Sequence, residues 1–168
     1  MTVGEELDIV FLGLGIQPVS HVDAIEWVPK RRYAIMGPYM TQVGTLGQRM
    51  MKQTATVQAN FDFGDERDAM QKFRVAMGLA PLVSAMFANS SISENRFNGF
   101  MTMRGHIWTD TDNARSGMLP FAFSPDSGID DYVDYALDVP MYFIIRDGDY
   151  VETHIPFRRF MTEGWGAE

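Results

Sequence analysis

The chain has 168 residues, a formal net charge of −8, a pI near 4.8 and no cysteine. That length suits one globular domain with a core of its own. The acidic balance argues against a nucleic-acid partner, whose phosphates attract clustered Lys and Arg. The lack of cysteine excludes disulfides, thiolate metal sites and a cysteine nucleophile.

In chain order, residues 5–8 end a helix, and the apolar run at residues 9–16 reads as a buried strand. That run is shorter than the ~20 residues a membrane span requires, and it lacks the basic start of a signal peptide. No membrane partner and a cytoplasmic location are therefore expected. Residues 18–29 form a loop, residues 31–40 a short helix despite Gly37-Pro38, and residues 44–47 a turn.

Residues 54–63 alternate. Thr54, Thr56, Gln58, Asn60 and Asp62 share one face, and Ala55, Val57, Ala59, Phe61 and Phe63 the other. The apolar face should meet a layer of helices. The polar face carries only short groups and no Lys or Glu, which suits hydrogen bonding to a ligand. Asp65, with Asp68 three residues on, caps a helix whose apolar stripe continues to residue 88, with a kink or break expected at Pro81. Residues 89–98 read as a loop and residues 124–126 as a turn. A helix follows at residues 129–136 and a strand at residues 140–146. Asp147-Gly148-Asp149 turns the chain into residues 150–153, and residues 157–162 form a helical turn. Strands and helices mix without a βαβ rhythm, which predicts an α+β fold with an antiparallel sheet.

The richest chemistry lies in residues 99–123 and just beyond, where Arg104, His106, Trp108, Asp110, Asp112, Arg115 and Asp126 stand among apolar residues. This mixture suits a site that grips a charged small molecule and excludes water. No phosphate loop, dinucleotide fingerprint, HExxH or nucleophile elbow is present, and His21, His106 and His154 lack metal-ligand spacing. Arg104, on an ordered element, suits bidentate binding of a carboxylate or phosphate, and Trp108 of the same stretch is a second candidate substrate contact. Arg115, next to Ser116-Gly117, suits a phosphate-facing turn, and Arg31-Arg32 form another basic point.

Four stretches resemble one family: PKRRY at residues 29–33, TATVQANFD at 54–62, MRGHIWTDTD at 103–112 and YVDYALDVPMYF at 132–143. They are similar to glutamate–cysteine ligase of the form shared by plants and many proteobacteria. The resemblance covers nearly the whole chain in order. It implies a glutamine synthetase-like fold, a curved antiparallel sheet with helices on one face, here in part. It implies ligation of the glutamate γ-carboxylate to the cysteine amine through an acyl phosphate, the first step of glutathione synthesis, with ATP and Mg²⁺ as cofactors. Carried over, Arg32 and Arg104 would bind glutamate carboxylate, with Arg104 the catalytic group. Tyr142 would line the cysteine pocket. Gln58 and Asn60 would face the substrates, Asp62 and Thr102 would support them from behind, and Arg115 would meet the ATP phosphates.

The family's metal-binding pair of glutamates around a histidine is absent from residues 1–168. Asp110, Asp112 and Glu152 are the acids left to contribute a ligand, and a hard cation needs several oxygens. Residues 1–168 therefore read as the central part of a single catalytic domain. The isolated piece is expected to lack ligase activity, and its cut sheet edges would favour a homo-oligomer. Two other readings compete. One is a non-catalytic module that binds an amino acid or a partner. The other is a related carboxylate–amine ligase with a different amine substrate.

Overall fold

The computed structural model describes residues 3–164 and 166. A short helix, α1 (Val3–Glu6), precedes an irregular stretch with a single 3₁₀ turn at Val22–Ala24. Helix α2 (Arg32–Val43) runs through Gly37 and Pro38 and buries Tyr39 and Met40. Helix α3 (Gly47–Gln53) follows at once. The connection between them must pass close to a later segment. A Cβ on Gly44 would lie 2.5 Å from the Asp110 carbonyl oxygen, so only glycine fits.

Helix α4 (Glu66–Met86) opens as its sequence predicts, with Asp65 Oδ1 accepting the Asp68 amide at 2.8 Å. It then continues through Pro81 without a break. Pro81 and the residues on either side are exposed, and the carbonyl that loses its helical donor is that of the half-buried Met77, one turn earlier. The half-buried part of α4 is anchored by Arg74, which donates to the Ala122 and Ser124 carbonyls at 2.7 and 3.0 Å, and by Phe73, stacked on Phe121. Those partners belong to or adjoin the 3₁₀ turn Pro120–Phe123, which leads to α6 (Ile129–Asp138).

Between them lies α5 (Met103–Trp108), capped by Thr102, whose Oγ1 accepts the Gly105 amide at 3.1 Å. Its Met103 and Ile107 meet Ile16, with Leu46 and Met50 packed around them. Ile107 is fully buried, and burying such a side chain stabilises the fold by about 1.5–3 kcal/mol.

Two antiparallel hairpins make up the regular strands among the described residues. Strands β1 (Ile92–Ser93) and β2 (Arg96–Phe97) are joined by Glu94 and Asn95, at φ 54° and 61°. Strands β3 (Phe143–Arg146) and β4 (Asp149–Glu152) are joined by Asp147 and Gly148, at φ 53° and 85°. Two consecutive positive φ values are what the right-handed strand twist requires of a two-residue turn. The second hairpin follows the sequence reading. The first replaces an expected loop, because a Glu-Asn turn is a weaker signal than Asp-Gly. The chain closes with α7 (Phe157–Glu163), pinned to α6 by Arg158, which reaches Asp134 and Asp138 at 2.6 Å each.

Two expected strands take no ladder here. Residues 9–15 and 55–63 are irregular and joined only near one end, by the antiparallel Ile16–Thr54 bridge. Their apolar side chains face outward, with Phe11 85% and Val57 97% exposed. A strand needs a hydrogen-bonding neighbour on its edge and a layer against its apolar face. Among the described residues, such neighbours occur only at one end, where Gly15 bonds to Ala55 and Asn89 and Gly13 to Asn89.

Candidate functional site

Arg104 enters the site from the first turn of α5. Its amide donates to Ser90 Oγ at 3.1 Å and its terminal Nη2 to Thr56 Oγ1 at 3.1 Å. The guanidinium therefore reaches the segment that carries Gln58, Asn60 and Asp62. One turn later, Trp108 sits beside it, with the Arg104 Cζ 6.0 Å from the ring centroid. Arg104 Nε and Trp108 Nε1 are both buried, and neither has an acceptor. A buried donor without a partner costs about 1–3 kcal/mol, so two side by side mark a place where an acceptor belongs. Thr102 supports this pair through the α5 cap.

The remaining residues of the expected site distribute differently. Gln58 donates to Asn60 Oδ1 at 2.9 Å on the exposed segment, and the Asp62 carbonyl accepts from Lys72 at 2.7 Å. Arg32 is exposed, donating to the Tyr33 hydroxyl at 2.9 Å. Its neighbour Arg31 is held by Asp149 at 2.5 Å. His106 is exposed and stacks on Phe100 at 4.2 Å, and Asp126 lies exposed before α6. Asp110 accepts from both the amide and the hydroxyl of Thr45. The Thr45 hydroxyl above all holds its carboxyl below the ordinary range. The charged residues around 99–126 are thus divided among separate contacts instead of converging on one ligand.

Arg115 departs furthest from its expected role. Its Nη1 donates to Asp112 and, at 3.1 Å, to the Tyr39 hydroxyl, and its Nη2 donates to the Pro140 carbonyl. Both terminal nitrogens are directed at protein acceptors and the charge is matched by Asp112, so the guanidinium is not presented to an ATP phosphate. Tyr142 lies flat against it, with the Arg115 Cζ 3.8 Å from the ring centroid. Burial pushes the Tyr142 phenol up to about 12; the Asp112 carboxylate adds to this and Arg115 opposes it. Tyr39 was missed by sequence reasoning, because a tyrosine in the middle of a helix 76 residues away reads as ordinary core.

Among the described residues, no three His, Asp or Glu side chains come together to hold a cation. The acids proposed for that purpose are engaged elsewhere: Asp110 by Thr45, Asp112 by Arg115, and Glu152 by His154 at 3.0 Å. No helix among these residues is long and apolar enough to cross a membrane.

Residues 1–162 match the family model described as Glutamate-cysteine ligase family 2. The chain is 53% identical over 160 residues to glutamate–cysteine ligase B, chloroplastic, of Oryza sativa subsp. japonica, covering 95% of this chain and 32% of that protein. It is 53% identical to the chloroplastic glutamate–cysteine ligase of Brassica juncea and 52% to that of Arabidopsis thaliana, covering 95% of this chain and 31% of each relative. The chain thus spans about a third of the length of the curated relatives it matches. These relatives are chloroplastic by name, which overturns the cytoplasmic expectation. That expectation rested on the lack of a leader in a stretch that corresponds to only part of the relatives. The match of the family model over nearly the whole chain, together with this identity, makes the chain a member of the glutamate–cysteine ligase family 2.

Proposed function

We propose that this chain is the central, substrate-recognising part of a longer ATP-dependent ligase that joins the glutamate γ-carboxylate to the amine of cysteine. The observation that carries this reading is the pair of buried, unpartnered donors, Arg104 Nε and Trp108 Nε1. Glutamate offers a carboxylate for them, and Arg104 binds such a group as both a charge and a hydrogen-bond donor. Gln58 and Asn60, on the segment that Arg104 reaches through Thr56, supply amides for the rest of the amino acid. Of the adjacent arginines, Arg31 is engaged by Asp149, so Arg32 takes the second carboxylate contact. Tyr142 lines the amine pocket. In the reaction the family carries out, ATP turns the γ-carboxylate into an acyl phosphate, which the amine then displaces.

The described residues do not fit Mg²⁺. Its ligands would come from a different part of the longer protein, and the isolated chain is expected to be inactive. The glutamine synthetase-like sheet is part of the same proposal. The outward apolar residues of segments 9–15 and 55–63 are what strands awaiting neighbours and a helix layer would present. In the isolated chain the same surface favours self-association.

The test is made on the full-length protein. Arg104→Ala should raise the glutamate KM by ten-fold or more, by about the loss of one charged hydrogen-bonding partner. Unchanged glutamate kinetics in a folded variant would remove Arg104 from the substrate site.

A further inference from the structure

We propose that Asp112 and Arg115 are positioning residues for Tyr142, holding its ring and the Pro140 carbonyl in the one orientation that shapes the amine-substrate pocket. This rests on the reading that Tyr142 lines that pocket. Asp112 is 3% exposed and the Arg115 side chain 15%. Such an ion pair gives little net stability, because removing both charges from water offsets most of their attraction. What it does supply is orientation.

Arg115 is gripped from three parts of the fold: Tyr39 on α2, Asp112 in the loop after α5, and Pro140 just before β3. Its guanidinium plane is therefore fixed, and the Tyr142 ring rests on it at 3.8 Å. The other end of the same tyrosine is held by the other member of the pair, since the Tyr142 hydroxyl donates to Asp112 Oδ2 at 3.4 Å. The Tyr39 ring stands nearly perpendicular to the Tyr142 ring, with centroids 5.3 Å apart. Asp112 is itself immobilised. Its Oδ1 accepts the Ala114 amide at 3.1 Å, and its carbonyl accepts the Ser116 amide at 2.9 Å. The face and the hydroxyl of Tyr142 are thus tied to the same ion pair, with Tyr39 packed against the ring.

Arg115→Lys keeps the charge but cannot lie flat under the ring while reaching all three acceptors. In the full-length protein it should raise the cysteine KM about ten-fold and leave the glutamate KM within about two-fold, since small misplacements of a docking wall are costly. A tie that served the fold alone would lower the thermal midpoint without separating the two KM values, and that result overturns the proposal. Tyr142→Phe deletes a single hydroxyl and serves if Arg115→Lys does not fold: a rise in cysteine KM supports the proposal, and no change overturns it. Tyr142→Ala separates the two levels of the argument. If it leaves the cysteine KM unchanged, the amine-pocket reading falls and takes the proposal with it. If it raises that KM while Arg115→Lys does not, the proposal alone falls.

Discussion

Ile16 and Thr54 form an antiparallel bridge, in which the Gln17 amide donates to the Gln53 carbonyl at 2.8 Å and the Ala55 amide to the Gly15 carbonyl at 3.1 Å. This single pair sets the register in which residues 9–15 and 55–63 would continue as neighbouring strands. Steps of two along each segment bring Leu14 opposite Thr56 and Leu12 opposite Gln58.

A cross-link checks this register. In the full-length protein, Leu12→Cys with Gln58→Cys should form a disulfide under mild oxidation, because directly opposed pairs of this kind have closely spaced Cβ atoms. Leu12→Cys with Ala59→Cys, one residue out of register, should cross-link far less. Equal yields would show that the two segments do not pair.

The buried ion pair should respond asymmetrically. Arg115→Ala leaves the Asp112 carboxylate, 3% exposed, without its partner. The expected loss is about 3–5 kcal/mol of folding stability. Replacing both residues by apolar ones, Asp112→Leu with Arg115→Met, should recover most of it. Denaturant titration of the three proteins is the measurement.

Tyr142 should leave a signature in alkali. Its phenol is raised to about 12 by burial, against an ordinary value near 10. The folded state therefore keeps a proton that the unfolded state releases. The resulting stability is complete below about pH 10 and is lost as pH rises through about 12. Ultraviolet titration of the phenolates should show one late tyrosine that disappears in Tyr142→Phe, and that variant should lose stability less steeply above pH 10.

Asp110 acts in the opposite direction. Its carboxyl is held below the usual range, first by the Thr45 hydroxyl. A depressed carboxyl contributes stability that is present above its unfolded pKa and lost as pH falls through the folded value. Thr45→Val should therefore lower the thermal midpoint at neutral pH, and the gap to the parent protein should narrow in acid. A gap that stays constant down to pH 2 would mean the carboxylate plays no part.

Local patterns were legible wherever a few neighbouring residues decide the outcome. The Asp65 cap, the Asp147-Gly148 turn and the four family motifs all follow from short-range geometry or from residue order. Of the kink or break expected at Pro81, the break does not occur, since α4 runs through it from Glu66 to Met86. The strands at 9–16 and 54–63 carry strand-like patterns, yet pairing is a property of neighbours, and only Ile16–Thr54 supplies one.

The sequence by itself determined the family and the residue types available for a carboxylate; it placed Arg104 only on an ordered element and Tyr142 on a strand, whereas Tyr142 lies just before β3. The tertiary structure decided how those residues are used. It left Arg104 Nε and Trp108 Nε1 buried without acceptors, while Arg115 became an internal tie to Asp112, Tyr39 and Pro140. The physical reason is that an arginine's role depends on which acceptors surround it, and those acceptors come from parts of the chain far apart in sequence.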